Sequence, residues 1–429
     1  MGSRVEGSDR AGDRGVTVAA ETEPRPAPLW RNRDFGLLWS GAAFSILGMR
    51  VCSIAWPLLV IFDGGSAERA GLVGFAALLP QLVVQLPAGV LVDRWDRKKV
   101  MICSDLIGLT AIASVLAALL IWRLTLPHLL IAAFLAGSAS VCYQLSERAA
   151  VRAVVHPSHL SAALSQNEAR SKGAGLLGQP ISTVLLSFAS WMPFCVTVIG
   201  HALSILTLLA IRTPFQQVRR RKRASLGGEL VAGLRWMRDQ KLLRSALVVI
   251  SGTNIISQVL TLAMILIIKE SGGAVTTIGL IGVATGVGGL LGALCGSWFM
   301  ARFGLGTLFV GTLVLRMLLI PSIAFFSEPW VLAAVFAAMS WAGGLMNVVG
   351  GVYQIRITPE EMQGRAASVG ALITSGANSL GPLTGGLLLG AWGTSVTVLG
   401  AAGSMAALAV LAGLAARRFG VPAHERQAE

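Results

Sequence analysis

The sequence carries little charge for its length. Only 13% of its 429 residues are Asp, Glu, Lys or Arg, whereas 54% are hydrophobic and the mean hydropathy is +0.70. A soluble domain of this size needs more charged surface than that. Apolar runs of about 18 residues or more recur along the chain, and runs of this length are typical of membrane-spanning helices. The composition therefore predicts an all-α integral membrane protein.

Motifs for catalysis and metal binding are also missing. The five cysteines stand singly, and no two form a CxxC pair, so neither a zinc site nor a disulfide framework is predicted. The sequence has no Walker loop, no HExxH and no GxSxG motif. His156 and His159 form a short HxxH without companion ligands. We therefore predict no metal, no cofactor and no enzymatic activity, and the lack of a nucleotide-binding motif disfavours an ATP-driven pump.

Twelve apolar runs are long enough to cross a hydrocarbon core of roughly 30 Å at ~1.5 Å per residue. They form two sets of six on either side of a polar segment, which predicts two six-helix halves. The predicted spans are 36–62, 70–92, 100–122, 127–146, 166–188, 192–211, 243–268, 276–300, 307–326, 329–351, 366–390 and 395–416. The predicted units are an N-terminal tail (1–34), an N-terminal half (35–211), a linker (212–242), a C-terminal half (243–416) and a C-terminal tail (417–429).

The positive charge indicates the orientation in the membrane. All but five of the 35 Lys and Arg residues lie at one set of helix ends, where both chain termini also lie. Arg69, Arg123 and Lys269 lie at the other ends, and Arg50 and Arg316 lie within spans. Basic residues concentrate in cytoplasmic loops, so we expect both termini in the cytoplasm. The same distribution accounts for the net charge of +14 without a nucleic-acid partner.

Two polar segments flank or separate the halves. Residues 1–28 have mixed charges and no apolar core, which predicts a disordered cytoplasmic tail and no signal peptide. The linker contains the basic run 219–223 and then an amphipathic stretch over 229–244. We expect this stretch to be a helix lying against anionic lipid headgroups, and a lipid-specific regulatory role is the alternative.

The two halves echo each other in sequence. Tyr143-Gln144 ends span four, and Gly178-Gln179-Pro180 follows in span five. Tyr353-Gln354 ends span ten, and Gly381-Pro382 follows in span eleven. Similar elements at corresponding positions of two halves indicate a parallel repeat, which is common in transporters.

The loop between spans two and three, GVLVDRWDRKK over residues 89–99, resembles the loop signature of the major facilitator superfamily. The stretches at 30–47 and 362–386 are similar to bacterial drug, macrolide and siderophore exporters of that superfamily, and the resemblance covers about residues 30–416. It implies twelve helices in the major facilitator fold, in a bacterial cell membrane. It also implies a latch that holds the two halves in one conformation. The latch residues are Gly89, Asp93, Arg94 and Arg97, with Asp105 as a further partner.

A second group of small residues in span eleven resembles the glycine–proline motif linked with antiporters. In antiporters that motif usually lies in span five, where this chain has Gln179 between Gly178 and Pro180. Close helix packing is the alternative explanation for these residues. The residues are Gly376, Gly381, Pro382, Gly385 and Gly386.

Arg50 is the most informative single residue because it lies near the middle of span one. A charge there costs about 2.5–3.5 kcal/mol on insertion scales and so faces protein or water. Arg50 either faces a cavity, where it would favour a carboxylate, phosphate or catecholate, or is paired structurally. Arg316 is expected to be structural. No carboxylate is expected at the middle of the membrane, because Asp105 and Glu147 lie near the cytoplasmic helix ends.

The helices that line the cavity in this superfamily are spans one, four, seven and ten. Their polar and aromatic residues are candidate substrate contacts, with interhelical hydrogen bonds as the alternative. These candidates, with Arg50, are Trp56, Tyr143, Gln144, Asn254, Gln258, Trp341 and Asn347.

Together these features predict a secondary exporter of an amphipathic small molecule that works by alternating access, with proton antiport as the expected energy source and membrane lipid as its surroundings. An importer of an anionic metabolite, a non-transporting sensor and a membrane-embedded lipid-modifying enzyme are the alternatives. Nothing indicates an oligomeric interface, so a monomer is expected.

Overall fold

The computed structural model describes residues 29–121, 124–215 and 235–418, and this part of the chain contains helices and no strands. The predicted all-α fold is confirmed. Arg123, the basic run 219–223, the first part of the predicted amphipathic stretch, most of the N-terminal tail and the last eleven residues lie outside the described ranges.

The first half contains six helical segments, α1 to α6. A short 3-10 helix, Leu29–Arg31, precedes them, and another, Pro157–His159, lies between α4 and α5. The segments are Arg33–Phe62 (α1), Ala67–Leu78 with Pro80–Val83 and Gln85–Arg94 (α2), Arg97–Ile121 (α3), Leu126–Val154 (α4), Leu160–Phe188 (α5) and Met192–Ala210 (α6).

The second half contains six more segments, α7 to α12. Helix Glu360–Arg418 is broken at Gly393, whose φ of 73° is not helical, and the two sides of the break are α11 (360–392) and α12 (394–418). The others are Lys241–Glu270 (α7), Val275–Leu294 with Gly296–Arg302 (α8), Leu305–Phe325 (α9) and Pro329–Ile357 (α10).

The helix lengths are consistent with twelve spans. Within the described residues, nine helices are long and apolar enough to cross a membrane, and α2 makes a tenth if its bent pieces are one span. One of the nine is the helix divided at Gly393. The remaining segment, α5, is 29 residues long and begins with a polar stretch.

Proline explains the 51° bend in α2. Pro87 has no N–H to donate to the carbonyl of Val83, and its ring crowds that carbonyl, so the helix breaks at Val84. At the end of α2, Asp96 accepts hydrogen bonds from the backbone N–H groups of Lys98 (2.8 Å) and Lys99 (3.2 Å). Asp96 therefore caps the start of α3, which explains a carboxylate where the superfamily loop usually has glycine.

The same helix ending occurs in both halves. Gly64 after α1 and Gly272 after α7 have φ of 84° and 71°. In each case the next glycine, Gly65 or Gly273, donates its N–H to the carbonyl five residues earlier over 2.8 Å. This is the Schellman ending, which favours glycine because a side chain at positive φ is strained. The shared geometry at corresponding positions supports the repeat that the sequence indicates.

The two halves share a core at one end only. We call the end where α2 meets α3 the basic end, and the end where α1 meets α2 and α7 meets α8 the opposite end. Toward the opposite end, one cluster of buried residues joins both halves and includes Leu59, Ala70, Leu260 and Leu389. At the basic end the N-terminal half has its own cluster around Phe215, and the C-terminal half has two separate ones.

The described part of the linker packs against protein. Residues 235–239 are helical, and the side chain of Met237 is buried with Leu243, Leu247 and Ala366. Met237 was expected to lie against lipid headgroups, and the structure instead places it on the C-terminal half. The contact connects the linker to α7 and α11.

Small residues bring helix backbones together within the C-terminal half. A Cβ at Gly288 of α8 would lie 2.1 Å from the carbonyl oxygen of Ala337, and one at Gly292 would lie 2.0 Å from that of Trp341, both in α10. Such distances leave no room for a side chain. The packing of α8 on α10 therefore requires these glycines.

We predict that Gly292→Val lowers the stability of the C-terminal half by about 1–3 kcal/mol, because the added methyl groups force the backbones of α8 and α10 apart. Thermal unfolding of the purified protein in detergent measures the effect as a lower midpoint. Gly311→Val in α9 is the matched control, because a Cβ there meets nothing within 4 Å. Equal midpoints for the two variants would contradict the close packing.

Candidate functional site

Backbone contact between α2 and α11 closes the opposite end. A Cβ at Gly71 would lie 2.5 Å from the carbonyl oxygen of Pro382 and 2.7 Å from Cα of Gly386. A Cβ at Gly386 would lie 2.7 Å from the carbonyl oxygen of Ala67. Pro382 and Gly386 of the antiporter-like motif therefore lie at the junction of the two halves.

The other members of that motif have different neighbours. Gly381 and Gly385 face α7, where an added Cβ would lie 2.4 Å from Cβ of Gln258 and 3.1 Å from Cα of Val259 respectively. Gly376 faces the side chain of Leu82 in α2. The structure thus places one part of the motif between the halves and the other part within the C-terminal half.

A second contact between the halves joins α5 to α8. Gln179 donates its Nε2 hydrogen to the carbonyl of Ile278 (3.1 Å), and its side chain packs against Gly282. A Cβ at Gly279 would collide with the Thr183 hydroxyl at 2.0 Å. Gln179 therefore links the two halves. It is the residue that interrupts the glycine–proline pattern in the sequence. Lys269 at the end of α7 adds another, because its ammonium donates to the carbonyl of Ile61.

At the basic end, the predicted latch residues do not join the two halves. Asp93 and Arg94 are exposed, and Gly89 has open space around it. Arg97 donates to the carbonyl of Ala149 in its own half (3.1 Å) and to that of Phe215 at the start of the linker (3.4 Å). In this conformation the latch residues therefore form no hydrogen bond or ion pair, among the described residues, with the C-terminal half.

A cavity of about 340 Å³ lies between the halves and is lined by α1, α2, α4, α7 and α11, together with Ile112 of α3. Four of the predicted substrate contacts line it: Arg50, Trp56, Gln144 and Gln258. Trp56 is only 2% exposed and packs edge-on against Phe194, with 5.1 Å between ring centroids. The wall is amphipathic, with polar residues on both halves; those besides the four are Ser53, Gln81, Ser140, Thr261 and Asn378.

Arg50 provides the cavity with a free positive charge. Its side chain is exposed to the cavity, and among the described residues no carboxylate pairs with it. A Cβ at Gly178 of α5 would lie 2.6 Å from Cβ of Arg50, so α5 supports α1 closely behind the arginine. Of the two alternatives that the sequence leaves open, this geometry favours the cavity-facing arginine.

The amides around the cavity are held in place. Gln258 donates its Nε2 hydrogen to Asn378 Oδ1 (3.0 Å), which connects α7 to α11. Gln144 donates its Nε2 hydrogen to Ser140 Oγ (2.9 Å), one turn earlier in α4. Both residues therefore present fixed polar groups beside Arg50.

Asn254 and Asn347 line a different cavity. It has a volume of about 450 Å³ and lies inside the C-terminal half between α7, α9, α10 and α12. Arg316 borders it and donates to the carbonyl of Met339 (3.1 Å) and to Ser257 Oγ (3.5 Å). These bonds attach α9 to α10 and α7, in line with the structural role expected for Arg316.

The two remaining substrate candidates lie away from the central cavity. Tyr143 is 1% exposed, and its hydroxyl lies 3.0 Å from Ser204 Oγ in the core of the N-terminal half. Trp341 packs edge-on against Phe299 with 5.3 Å between ring centroids. Neither ring lines the central cavity in this conformation.

Asp105 also differs from its expected role. It lies about two turns inside α3, away from the loop, and accepts a hydrogen bond from Ser45 Oγ (2.8 Å). Its Oδ1 also lies 2.8 Å from Nδ1 of His201 in α6. Both contacts use Oδ1 and lie within the N-terminal half, and in this conformation Asp105 makes no hydrogen bond with the loop residues Asp93 and Arg94.

A buried ion pair also lies in the N-terminal half. The guanidinium of Arg170 in α5 contacts the carboxylate of Glu147 in α4, and both side chains are 5% exposed. Arg170 also donates to the carbonyl of Trp39 (3.2 Å). Neither His201 nor Arg170 was predicted from the sequence. A charged or titratable residue within a predicted span was the signal that could have identified them.

Comparison with known proteins identifies the family. The family model described as transmembrane secretion effector, of the major facilitator type, matches residues 25–429. The chain belongs to this family. It is therefore a multi-pass membrane transporter of the major facilitator superfamily, as the sequence resemblance implies.

Individual relatives support the assignment of the chain to this family. It is 28% identical over 398 residues to a multidrug efflux pump, Tap, from Mycolicibacterium fortuitum, with 88% of this chain and 93% of the relative covered. It is 38% identical over 82 residues to macrolide efflux protein A from Streptococcus pyogenes, with 19% of this chain and 20% of the relative covered.

The fold has counterparts among solved structures. A crystal structure of a bacterial homologue of the human lysosomal transporter Spinster, in an inward-facing and unoccupied conformation, matches with a TM-score of 0.65 and 15% identity. The match covers 92% of this chain and 96% of that chain. At this identity the likeness shows the fold alone, and it confirms the major facilitator fold.

Proposed function

We propose that this secretion effector exports an amphipathic small molecule with an anionic group from the cytoplasm, by alternating access and in exchange for protons. The observation that carries the proposal is the unpaired guanidinium of Arg50 in a cavity between the two halves. Apolar and amide side chains line the same cavity as Arg50. Such a wall suits a molecule that has both apolar and charged parts.

The direction of transport is inferred from three features. The basic end is cytoplasmic by the distribution of Lys and Arg, so the closed opposite end makes this an inward-facing conformation. Such a conformation admits substrate from the cytoplasm. The relatives named above are efflux proteins, which supports export over import. The sequence has no Walker loop, so an ion gradient is the proposed energy source.

The latch is proposed to act in the other conformation. The exposed Asp93 and Arg94 lie at the basic end of α2. The first residues of α11 follow the loop after α10 at the same end of the C-terminal half. When the basic end closes, a carboxylate at Asp93 would be stabilised by the N-terminus of a helix or by a basic side chain. The latch would then stabilise the outward-facing conformation.

We predict that Arg50→Gln slows the efflux of an anionic dye, carboxyfluorescein, by about 10- to 100-fold, because a charge-assisted hydrogen bond contributes about 1.5–3 kcal/mol. Efflux of cationic ethidium is expected to stay the same or to rise. Dye loss from preloaded cells is measured by fluorescence, with and without an uncoupler.

Arg69→Gln is the matched control for Arg50→Gln, since Arg69 is exposed at the opposite end and the charge change is the same. Equal carboxyfluorescein efflux from Arg50→Gln and the parent protein would contradict the role of Arg50. Accumulation of the dye against its gradient, in place of loss, would indicate an importer.

We predict that Asp93→Asn lowers the maximal rate of dye efflux several-fold and leaves the half-saturating dye concentration unchanged, because the latch affects the conformational change and not the cavity. The matched control is Asp96→Asn, which removes the same charge from the same loop while asparagine still caps α3. Equal rates for the two variants would show that only loop charge matters, and the latch would be rejected.

A further inference from the structure

Three helices of the N-terminal half meet at a buried polar cluster, away from the central cavity. Asp105 of α3 is 1% exposed and His201 of α6 is 2% exposed. Their Oδ1 and Nδ1 atoms lie 2.8 Å apart, and Ser45 Oγ of α1 donates to the same Oδ1 over 2.8 Å. Polar groups are rarely buried at this depth without a function or a full set of partners.

This cluster lacks a full set of partners. Asp105 Oδ2 and His201 Nε2 are both buried, and neither has a hydrogen-bond partner among the described residues. Gly108, one turn after Asp105, makes room for the imidazole, because a Cβ at Gly108 would lie 2.9 Å from Nε2 of His201. The pair therefore has one unused proton-accepting atom on each residue.

The unused atoms let the pair change its charge without losing its contact. The imidazole donates its Nδ1 hydrogen to Asp105 Oδ1, and a further proton can bind Nε2 of His201 or Oδ2 of Asp105. Binding and release are reversible and break no covalent bond other than that to the proton. A change of net charge at a buried site alters the energy of the surrounding packing, because desolvated charges are costly.

Few other titratable groups face the pair. Tyr143 of α4 lies near Asp105, and Glu147 of α4 and Arg170 of α5 lie near Tyr143. The contact between Glu147 and Arg170 compensates those two charges. Helix α1 contributes no charge here, because Arg50 lies on the cavity side. The thiol of Cys52 in α1 lies about two turns after Ser45, beside Thr197 of α6.

Helix α1 connects the cluster to the substrate cavity. Ser45, which binds the carboxylate, precedes Arg50 in α1 by five residues, or about 7.5 Å along the helix axis. Ile46 and Met49 between them line the cavity. The same helix reaches the closed end, where the carbonyl of Ile61 accepts from Lys269 of α7. A shift of α1 would therefore be felt at both the cavity and the closure.

We propose that Asp105 and His201 together form the proton-binding site of the transport cycle, with Ser45 as the residue that positions the carboxylate. The proposal rests on proton antiport as the proposed function. In the outward-facing conformation the substrate leaves and one proton from the outer side binds the free Nε2 or Oδ2 atom. In the inward-facing conformation that proton leaves to the cytoplasm and the next substrate binds. The pair returns to its starting charge in each cycle.

The first test uses purified protein in liposomes with carboxyfluorescein as the probe. His201→Gln and Asp105→Asn are expected to reduce dye accumulation driven by a pH gradient by about tenfold or more. Exchange of dye for dye without a gradient needs no net proton movement, so it is expected to stay within about twofold, which also shows that the variants are folded. His128→Gln is the control, because His128 lies in the first turn of α4, at the opposite end, and its one hydrogen bond within the described residues is with Ser114 (2.9 Å).

Accumulation that persists in His201→Gln and Asp105→Asn would overturn the proposal. Loss of both accumulation and exchange would also overturn it, since the pair would then be structural. If the parent protein exchanges dye but ignores the pH gradient, proton antiport itself fails, which is distinct from the case in which only the variants ignore the gradient.

A second measurement needs no active variant. Infrared spectra of the purified parent protein are recorded as the pH is lowered, and the spectrum of Asp105→Asn is subtracted. The proposal predicts that a protonated-carboxyl band or an imidazolium band appears with falling pH, and that this band is missing or titrates at a different pH in Asp105→Asn and in His201→Gln. The lack of such a band across the pH range in which the protein is stable would overturn the proposal.

Discussion

Close contact between helix backbones at one end of the bundle determines the arrangement of this transporter. Gly71 of α2 meets Pro382 and Gly386 of α11, and Gly279 and Gly282 of α8 meet α5. Small residues allow this approach, and lipid offers no hydrophobic driving force to replace it. Because the halves are joined at that end and have separate cores at the other, the cavity opens toward the basic end. The same contact explains why Arg50 is exposed to the cavity and why the latch residues do not bond to the C-terminal half.

The N-terminal half concentrates the buried charge. The ion pair of Glu147 with Arg170 and the hydrogen-bonded pair of Asp105 with His201 lie among α1, α3, α4, α5 and α6. The C-terminal half has a buried guanidinium, Arg316, bonded to neutral oxygens. A rocking mechanism needs an element whose energy depends on the bound ion, and the half with titratable pairs is suited to supply it. The other half is suited to pack and to move as a body.

The all-α fold and the positions of the long apolar helices were predictable because hydrophobic length and charge distribution determine them in a membrane. Arg50 was found for the same reason, as a charge in a span. Side-chain partners were not predictable, because they depend on which faces of packed helices meet. Asp105 was assigned to the loop by its sequence position, and Ser45 and His201 become its neighbours only through the packing of α1, α3 and α6. Tyr143 and Trp341 lie in the expected helices but on their covered faces.

Alternating access is tested most directly by two distances measured on the same protein by pulsed electron paramagnetic resonance. Spin labels at Asp63 and Thr276 report the opposite end, and labels at Lys99 and Ala301 report the basic end; all four positions are exposed. The native cysteines are first replaced by alanine, and spectra are recorded at several pH values with and without carboxyfluorescein. The account predicts two populations in which the basic-end distance shortens as the opposite-end distance lengthens. Distances that stay fixed, or that change in the same direction, would contradict it.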